Sequence, residues 1–199
     1  MSTMSPPSPP RFLTADELYR ISVDLYQYLI ELGRIGEDDR VELLDGVIVK
    51  KMTRNPPHLL CVDLCRKEVE QISRDGFWLR SEGPLRIPPV DMPEPDLAVH
   101  RGNLRDYANR LPTSTDTVLV IEVADTSLAR DRGLKRDLYA RAGIPTYWIV
   151  DLNNRCVEVF EKPKAGAYSS MMVVPEEDAV ELIVDGRLWG RIDVAAILP

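Results

Sequence analysis

The chain has 199 residues, 44% of them hydrophobic and 29% charged, with a formal net charge of −7. That composition excludes a fibre or a wholly disordered chain and suits one domain with a sizeable core, while the acidic total argues against a general nucleic-acid coat protein, whose affinity comes from Lys and Arg on phosphates. The longest apolar runs are of strand length and the opening MSTMSPPSPPRF lacks the apolar stretch of a signal peptide, so neither a membrane span nor export is expected, and the expected location is the cytoplasm.

Residues 1–12, rich in Pro and Ser, predict a disordered tail ahead of a single folded domain over 13–199. Thr14 and Glu17 form a capping box, and Leu18, Ile21, Leu25, Leu29 and Leu32 form an apolar stripe, which together predict a helix over 15–33. VELLDGVIVKKM then reads as two strands around an Asp45-Gly46 turn. A second helix over about 57–74 would bury Cys61, Cys65, Val69 and Ile72. The three cysteines lack a CxxC spacing, give neither a zinc site nor a disulfide framework, and read as core thiols.

From Phe77 to His100 the pattern shifts to short extended pieces broken by prolines: FWLRSEG, LRIPP and PDLAVH. Residues 101–116 form a polar loop long enough for a functional role, shaping a substrate cleft. VLVIEVAD is a buried strand, Thr126 and Ser127 can cap a helix to about 142, and Gly143 ends it. TYWIVDL and CVEVFEKP predict a hairpin around Asn153-Asn154, so strand, helix and strand over 118–151 make a βαβ-like unit with parallel strands. The C-terminal part reads as edge strands and a short helix. Charge is unevenly spread: Thr14 to Asp45 holds nine acids and three arginines, whereas Ala129 to Ala142 holds five basic residues and two acids, so a polyanion would be expected at the second segment.

An ionised carboxylate in an apolar strand costs several kcal/mol unless it is paired, so Glu122 in VLVIEVAD needs a partner, a shifted pKa or a metal. Alternation along strands puts Val120, Glu122 and Ala124 on one face, and Asp96, Ala98 and His100 on one face of a neighbouring strand, so two carboxylates could meet there and share a divalent cation. The alternative is a plain ion pair with a buried Arg or Lys. Asp131, Lys135 and Tyr139, at steps of four, share a helical face that can return a lysine to the acid. Acids and a lysine converging at a sheet edge suit metal-assisted phosphodiester hydrolysis. His100 reads as an ordinary polar strand-end residue, and Tyr147 and Trp148 as core.

The pieces ELLDG, PDLAVH, VLVIEVADTS and DRGLKRDLYARAGIPTYWIVDL, in this order and spacing, resemble the Uma-two family of restriction endonuclease-like proteins, within the PD-(D/E)XK nuclease superfamily. The resemblance spans about residues 12–195 and implies an α+β fold with a restriction endonuclease-like core, a mixed central sheet flanked by helices. It makes Asp96 and Glu122 ligands of Mg²⁺, with Mn²⁺ an alternative, and Glu42 an accessory catalytic acid. The superfamily's strand lysine would stand at Ala124; the family pattern moves it to the following helix as Lys135, with Asp131 and Tyr139 alongside. His58 matches a family histidine that would touch substrate or cap its helix. The implied protein is a Mg²⁺-dependent DNA endonuclease acting as a homodimer. Two other readings stand beside it: a nuclease fold kept for binding or regulation with little or no catalysis, and a metal-dependent hydrolase of a small substrate in a closed pocket.

Overall fold

The computed structural model describes residue 14 and residues 17–199, so the expected tail over 1–12 lies outside the described residues. Strands β1 (Val41–Leu44) and β2 (Val47–Lys50) form the expected hairpin, with Asp45 and Gly46 both at positive φ, 52° and 73°. That left-handed pair is what a two-residue hairpin turn requires. A Cβ on Gly46 would also come within 2.6 Å of the Arg20 side chain, so the position accepts only glycine.

The first helix departs from expectation. Helix α1 covers Val23–Glu31, not 15–33. Thr14 and Glu17 do bond each other, the Thr14 N–H donating to the Glu17 carboxylate at 2.6 Å and the Glu17 N–H to the Thr14 carbonyl at 3.1 Å. The helix nevertheless starts later, because the Ile21 N–H donates to Gly46 O at the hairpin turn (2.9 Å) and Ser22 Oγ caps the Leu25 N–H (3.2 Å). Pairing with a distant turn outcompetes the local cap. The buried face is accordingly Val23 and Tyr26, while Leu18, Leu25 and Leu32 of the expected stripe are exposed.

Helix α2 (Pro56–Ile72) follows expectation, with Asn55 as its cap and Cys61, Cys65 and Val69 buried. All three cysteines are free and buried. The main sheet has six strands in the order β3 (Phe77–Ser81), β4 (Leu97–Arg101), β5 (Thr117–Ala124), β6 (Thr146–Asp151), β7 (Cys156–Lys164) and β8 (Ala167–Pro175). Only β5 and β6 run parallel, as the βαβ-like reading requires. LRIPP forms only isolated bridges rather than a strand. Of the expected C-terminal edge strands, β8 alone edges this sheet, while β9 (Ala179–Val184) and β10 (Arg187–Asp193) pair with each other before helix α5 (Val194–Ile197).

Three layers result. One face of the sheet, with Leu97, Ile121, Val123 and Trp148, packs on α2, the β9–β10 hairpin and α5. The other, with Ala98, Val120, Ala124, Tyr147 and Ile149, packs on Leu44 and on the helical segment after β5, including Leu138 and Tyr139. This is an α+β mixed sheet flanked by helices, as expected. The helical segment runs through α3 (Leu128–Arg130), a π turn (Asp131–Lys135) and α4 (Arg136–Arg141), and Gly143 at φ 76° follows its end.

The β4–β5 connection differs from expectation in two ways. Residues 101–116 do not line the acidic cleft described below, and only Leu111 reaches the hollow beside it; their short helical turn Leu104–Tyr107 folds back, and the Tyr107 hydroxyl donates to Arg101 O at 2.5 Å. His100 is not an ordinary strand-end residue but is buried, 3.0 Å from Thr117 Oγ1 and packed against the Trp78 and Tyr107 rings. Burial, helped by the nearby Arg80 charge, pushes its imidazole down to about 4. Below pH 6.5 the unfolded chain then takes up a proton that the native site refuses, so stability falls as pH drops from about 6.5 to 4, by about 2–3 kcal/mol in all. Urea unfolding at pH 7 and pH 5 should show this loss in the wild type and a smaller one in His100→Phe; equal losses would show that His100 does not titrate in this way.

Candidate active site

The β4–β5 register, Leu97 opposite Ile121 and Ala98 opposite Val120, places Asp96 beside Glu122 when extended by one residue pair. Asp96 Oδ2 accepts the Val123 N–H at 2.8 Å and lies 3.3 Å from His58 Nε2. Glu122 Oε1 accepts two bonds, from Lys135 Nζ at 2.9 Å and from the Tyr139 hydroxyl at 2.8 Å. Glu42, from β1, brings Oε2 to 3.6 Å from the same Nζ and accepts the Glu94 N–H at 3.2 Å. Asp131 Oδ2 accepts from Ser127 Oγ at 2.5 Å.

The π turn has a geometric consequence. In an α-helix of 3.6 residues per turn, steps of four drift by about 40° each, so Asp131, Lys135 and Tyr139 would spread around the surface. The wider turn over Asp131–Lys135 takes out much of that drift, and all three residues are buried on the sheet side. Such bulges are often found at functional sites.

Glu42, Asp96, Glu122 and Asp131 are each no more than 7% exposed, and among them lies one buried cation, Lys135. Burial pushes Glu122 up to about 8, with Lys135 opposing and the other acids adding to the shift. Burial likewise raises Asp131. Asp96 goes the other way: burial would raise it, but His58, the Val123 N–H and Lys135 together hold it below the usual range. For Lys135 burial alone would lower the pKa, and the surrounding carboxylates more than offset this, so the ammonium stays charged.

The pKa of Tyr139 is raised by burial and by Glu122, which keeps its hydroxyl a donor. The acids border a cleft of about 50 Å³, lined also by His58, Lys51, Arg54, Glu94 and Arg130. That space suits an ion with a few waters and is far below the roughly 300–1,000 Å³ of a small-molecule pocket. The acidic cleft by itself therefore has no room for a small-molecule substrate.

Glu42, Asp96, Glu122, Lys135, His58 and Asp131 thus meet at one cleft, with Tyr139 behind Glu122. His58 does not cap its helix. Asn55 does so, its Oδ1 accepting the His58 N–H at 3.1 Å, and the imidazole turns to Asp96 while Nδ1 is buried without a partner. Among the described residues no three His, Cys, Asp or Glu form a ready-made metal cluster. The donor chemistry nevertheless fits a hard divalent cation: the acids outnumber the cation, and the hydrogen bonds leave Glu122 Oε2 and Asp96 Oδ1 unused.

The basic segment 129–142 does not form one surface for a polyanion. Lys135 is buried, Arg132 turns away to Glu158 (2.8 Å) and Asp151 (3.2 Å), Arg136 pairs with Asp137 (2.7 Å) and Arg141 does not line the cleft, leaving Arg130 there. Glu94 and the Lys51 that pairs with it escaped the sequence reading. Glu94 stands two residues before Asp96, an alternation that could have revealed it; Lys51 and Arg54, just beyond β2, carry no such signal.

Residues 23–194 match the model of a family described as "Uma2: Putative restriction endonuclease". Among solved structures the chain is similar to the crystal structure of "a putative nuclease belonging to DUF820" from Anabaena variabilis ATCC 29413, at 15% identity and a TM-score of 0.64, covering 85% of this chain and 96% of that one. At that identity the likeness speaks for the fold. No curated protein matches.

Proposed function

Since the chain belongs to the Uma2 family, described as "Putative restriction endonuclease", we propose that it hydrolyses phosphodiester bonds of DNA as a Mg²⁺-dependent endonuclease, with Mn²⁺ able to substitute. The observation that carries this is the convergence of Asp96, Glu122, Glu42 and Lys135 in one cleft with too few buried cations for its acids.

Asp96 and Glu122 would hold the ion, each through an oxygen that no hydrogen bond uses. When bound, the ion supplies charge stabilisation and a more acidic water. Lys135 remains an ammonium, so it cannot serve as base; it orients the attacking water and offsets negative charge developing on the phosphate. It takes the role of the superfamily's strand lysine from the next helix, with its Nζ 2.9 Å from Glu122. Glu42, 3.6 Å from that Nζ, also pairs with the ammonium. Tyr139 fixes the Glu122 carboxylate, and His58 fixes Asp96. The homodimer remains part of this reading, and light scattering of the purified chain tests it.

The Lys135–Glu122 pair also favours a second reading, in which the lysine satisfies the buried glutamate and the fold serves binding alone. Calorimetry with Mg²⁺ and Mn²⁺ on wild type and Glu122→Gln, beside plasmid nicking with both proteins, separates the two. Metal binding and nicking by the wild type, both lost in the variant, are the expected result. A wild type that ignores metal and DNA, with a variant altered only in stability, overturns the nuclease reading.

A further inference from the structure

A second and larger hollow, about 760 Å³, adjoins the active cleft and shares Lys51 and Glu94 with it. Its walls include apolar Tyr26, Ile35 and Leu111 and the cations Arg40 and Arg80. Two of its acids are already engaged, Glu94 by Lys51 and Glu82 by Arg54. Glu31 and Glu37 also line it.

Arg80 is the unusual member. It lies on β3 opposite Ala98, so it stands one strand across and two residues along from Asp96, about 8 Å between Cα atoms by strand geometry. Among the described residues its partly buried guanidinium has neither an ion-pair partner nor a hydrogen bond, whereas in the two hollows Lys51 and Arg54 pair with Glu94 and Glu82, Arg40 and Arg130 donate to the Met52 and Lys50 carbonyls, and Lys135 pairs with Glu122. Its placement depends on Gly83: a Cβ there would fall 1.8 Å from Arg80 Nε and 2.4 Å from Cζ, so the guanidinium lies across bare backbone. A half-buried guanidinium with its donors unused, seated by a missing side chain, has the geometry of a phosphate clamp.

We propose that this hollow is a subsite for the sugar-phosphate backbone flanking the bond to be cut, and that Arg80, seated over Gly83, binds a phosphodiester about one nucleotide from the scissile one. The proposal rests on the nuclease reading. The apolar wall gives a base or sugar a surface, and the clamp fixes the register of the strand relative to Asp96 and Glu122.

The test is anisotropy with fluorescently labelled single-stranded and duplex DNA oligonucleotides in EDTA, over a range of salt. The proteins are wild type, Arg80→Gln, Arg80→Lys, Gly83→Ala and, as a remote control, Arg187→Gln, each with its melting curve. Arg80→Gln should weaken binding about tenfold and lower the salt slope by about one. Gly83→Ala, which keeps the charge but displaces the guanidinium, should weaken binding similarly, Arg80→Lys should fall between, and Arg187→Gln should match wild type. If Arg80→Gln and Gly83→Ala bind as wild type does, or if Arg187→Gln weakens binding as much, the clamp is overturned while the nuclease reading stands. A wild type that binds neither oligonucleotide removes the nuclease reading and the clamp together. Should Arg80→Gln melt early, Gly83→Ala and Arg80→Lys decide.

Discussion

Replacing Lys135 with Met should lower the folding free energy by about 3–5 kcal/mol, the cost of leaving a buried charge without its partner. Lys135 is the one buried cation among Glu42, Asp96, Glu122 and Asp131, and it is 6% exposed. Methionine keeps the volume of the side chain, so the loss comes from charge rather than from a cavity. In urea the midpoint should fall with the slope unchanged. The double variant Lys135→Met with Glu122→Gln should recover much of the loss, because the carboxylate that most needed the ammonium is gone; partners in contact are not additive. A single-variant cost below about 1 kcal/mol would show that the acids hold one another's protons instead of relying on Lys135.

The parts of the fold legible in the sequence were those where a local signal and a distant contact agree. Asp45-Gly46 is read as a hairpin turn because no other short structure accepts two left-handed residues in succession so readily, and Asp91 Oδ1 then accepts the Asp45 N–H at 2.5 Å. VLVIEVAD and TYWIVDL have no polar face for water, which leaves them only the middle of a sheet. The α1 error has the opposite origin. Thr14 and Glu17 bond as a capping box does, but the hairpin turn claims Ile21 first, and no local pattern announces a contact across 25 positions.

The site was legible in a similar way. Asp96 and Glu122 follow from strand alternation, and Lys135 from helical spacing, helped by a π turn that no local pattern in the sequence announces. His100 shows the limit of alternation. The β4–β5 register shifts between Val99 and His100, and the imidazole lies beside Thr117 and the Trp78 ring. Nor does composition locate the proposed substrate surface: the basic run at 129–142 points its arginines in different directions, whereas Arg80, unpaired among the described residues, sits alone in the sequence.

Asp96→Asn should leave the fold nearly intact and reduce nicking by at least ~10³-fold, a loss of about 4 kcal/mol of transition-state stabilisation. The fold survives because an asparagine oxygen in the place of Asp96 Oδ2 still accepts the Val123 N–H taken at 2.8 Å and still faces His58 Nε2 at 3.3 Å, so both contacts of that atom are kept. What is lost is the charge. An amide is a far poorer ligand for a hard cation, so metal affinity should fall with activity, and raising Mn²⁺ should restore a part of both. His58→Ala offers the contrast. It removes only the group that holds Asp96 in place, so it should weaken metal binding by about 10–100-fold, the usual effect of losing such a support, and leave measurable nicking. If Asp96→Asn nicks as the wild type does, Asp96 is a structural acceptor for the Val123 N–H; if it loses nicking but keeps full metal affinity, Glu122 and Glu42 must hold the ion between them and Asp96 acts on the substrate instead.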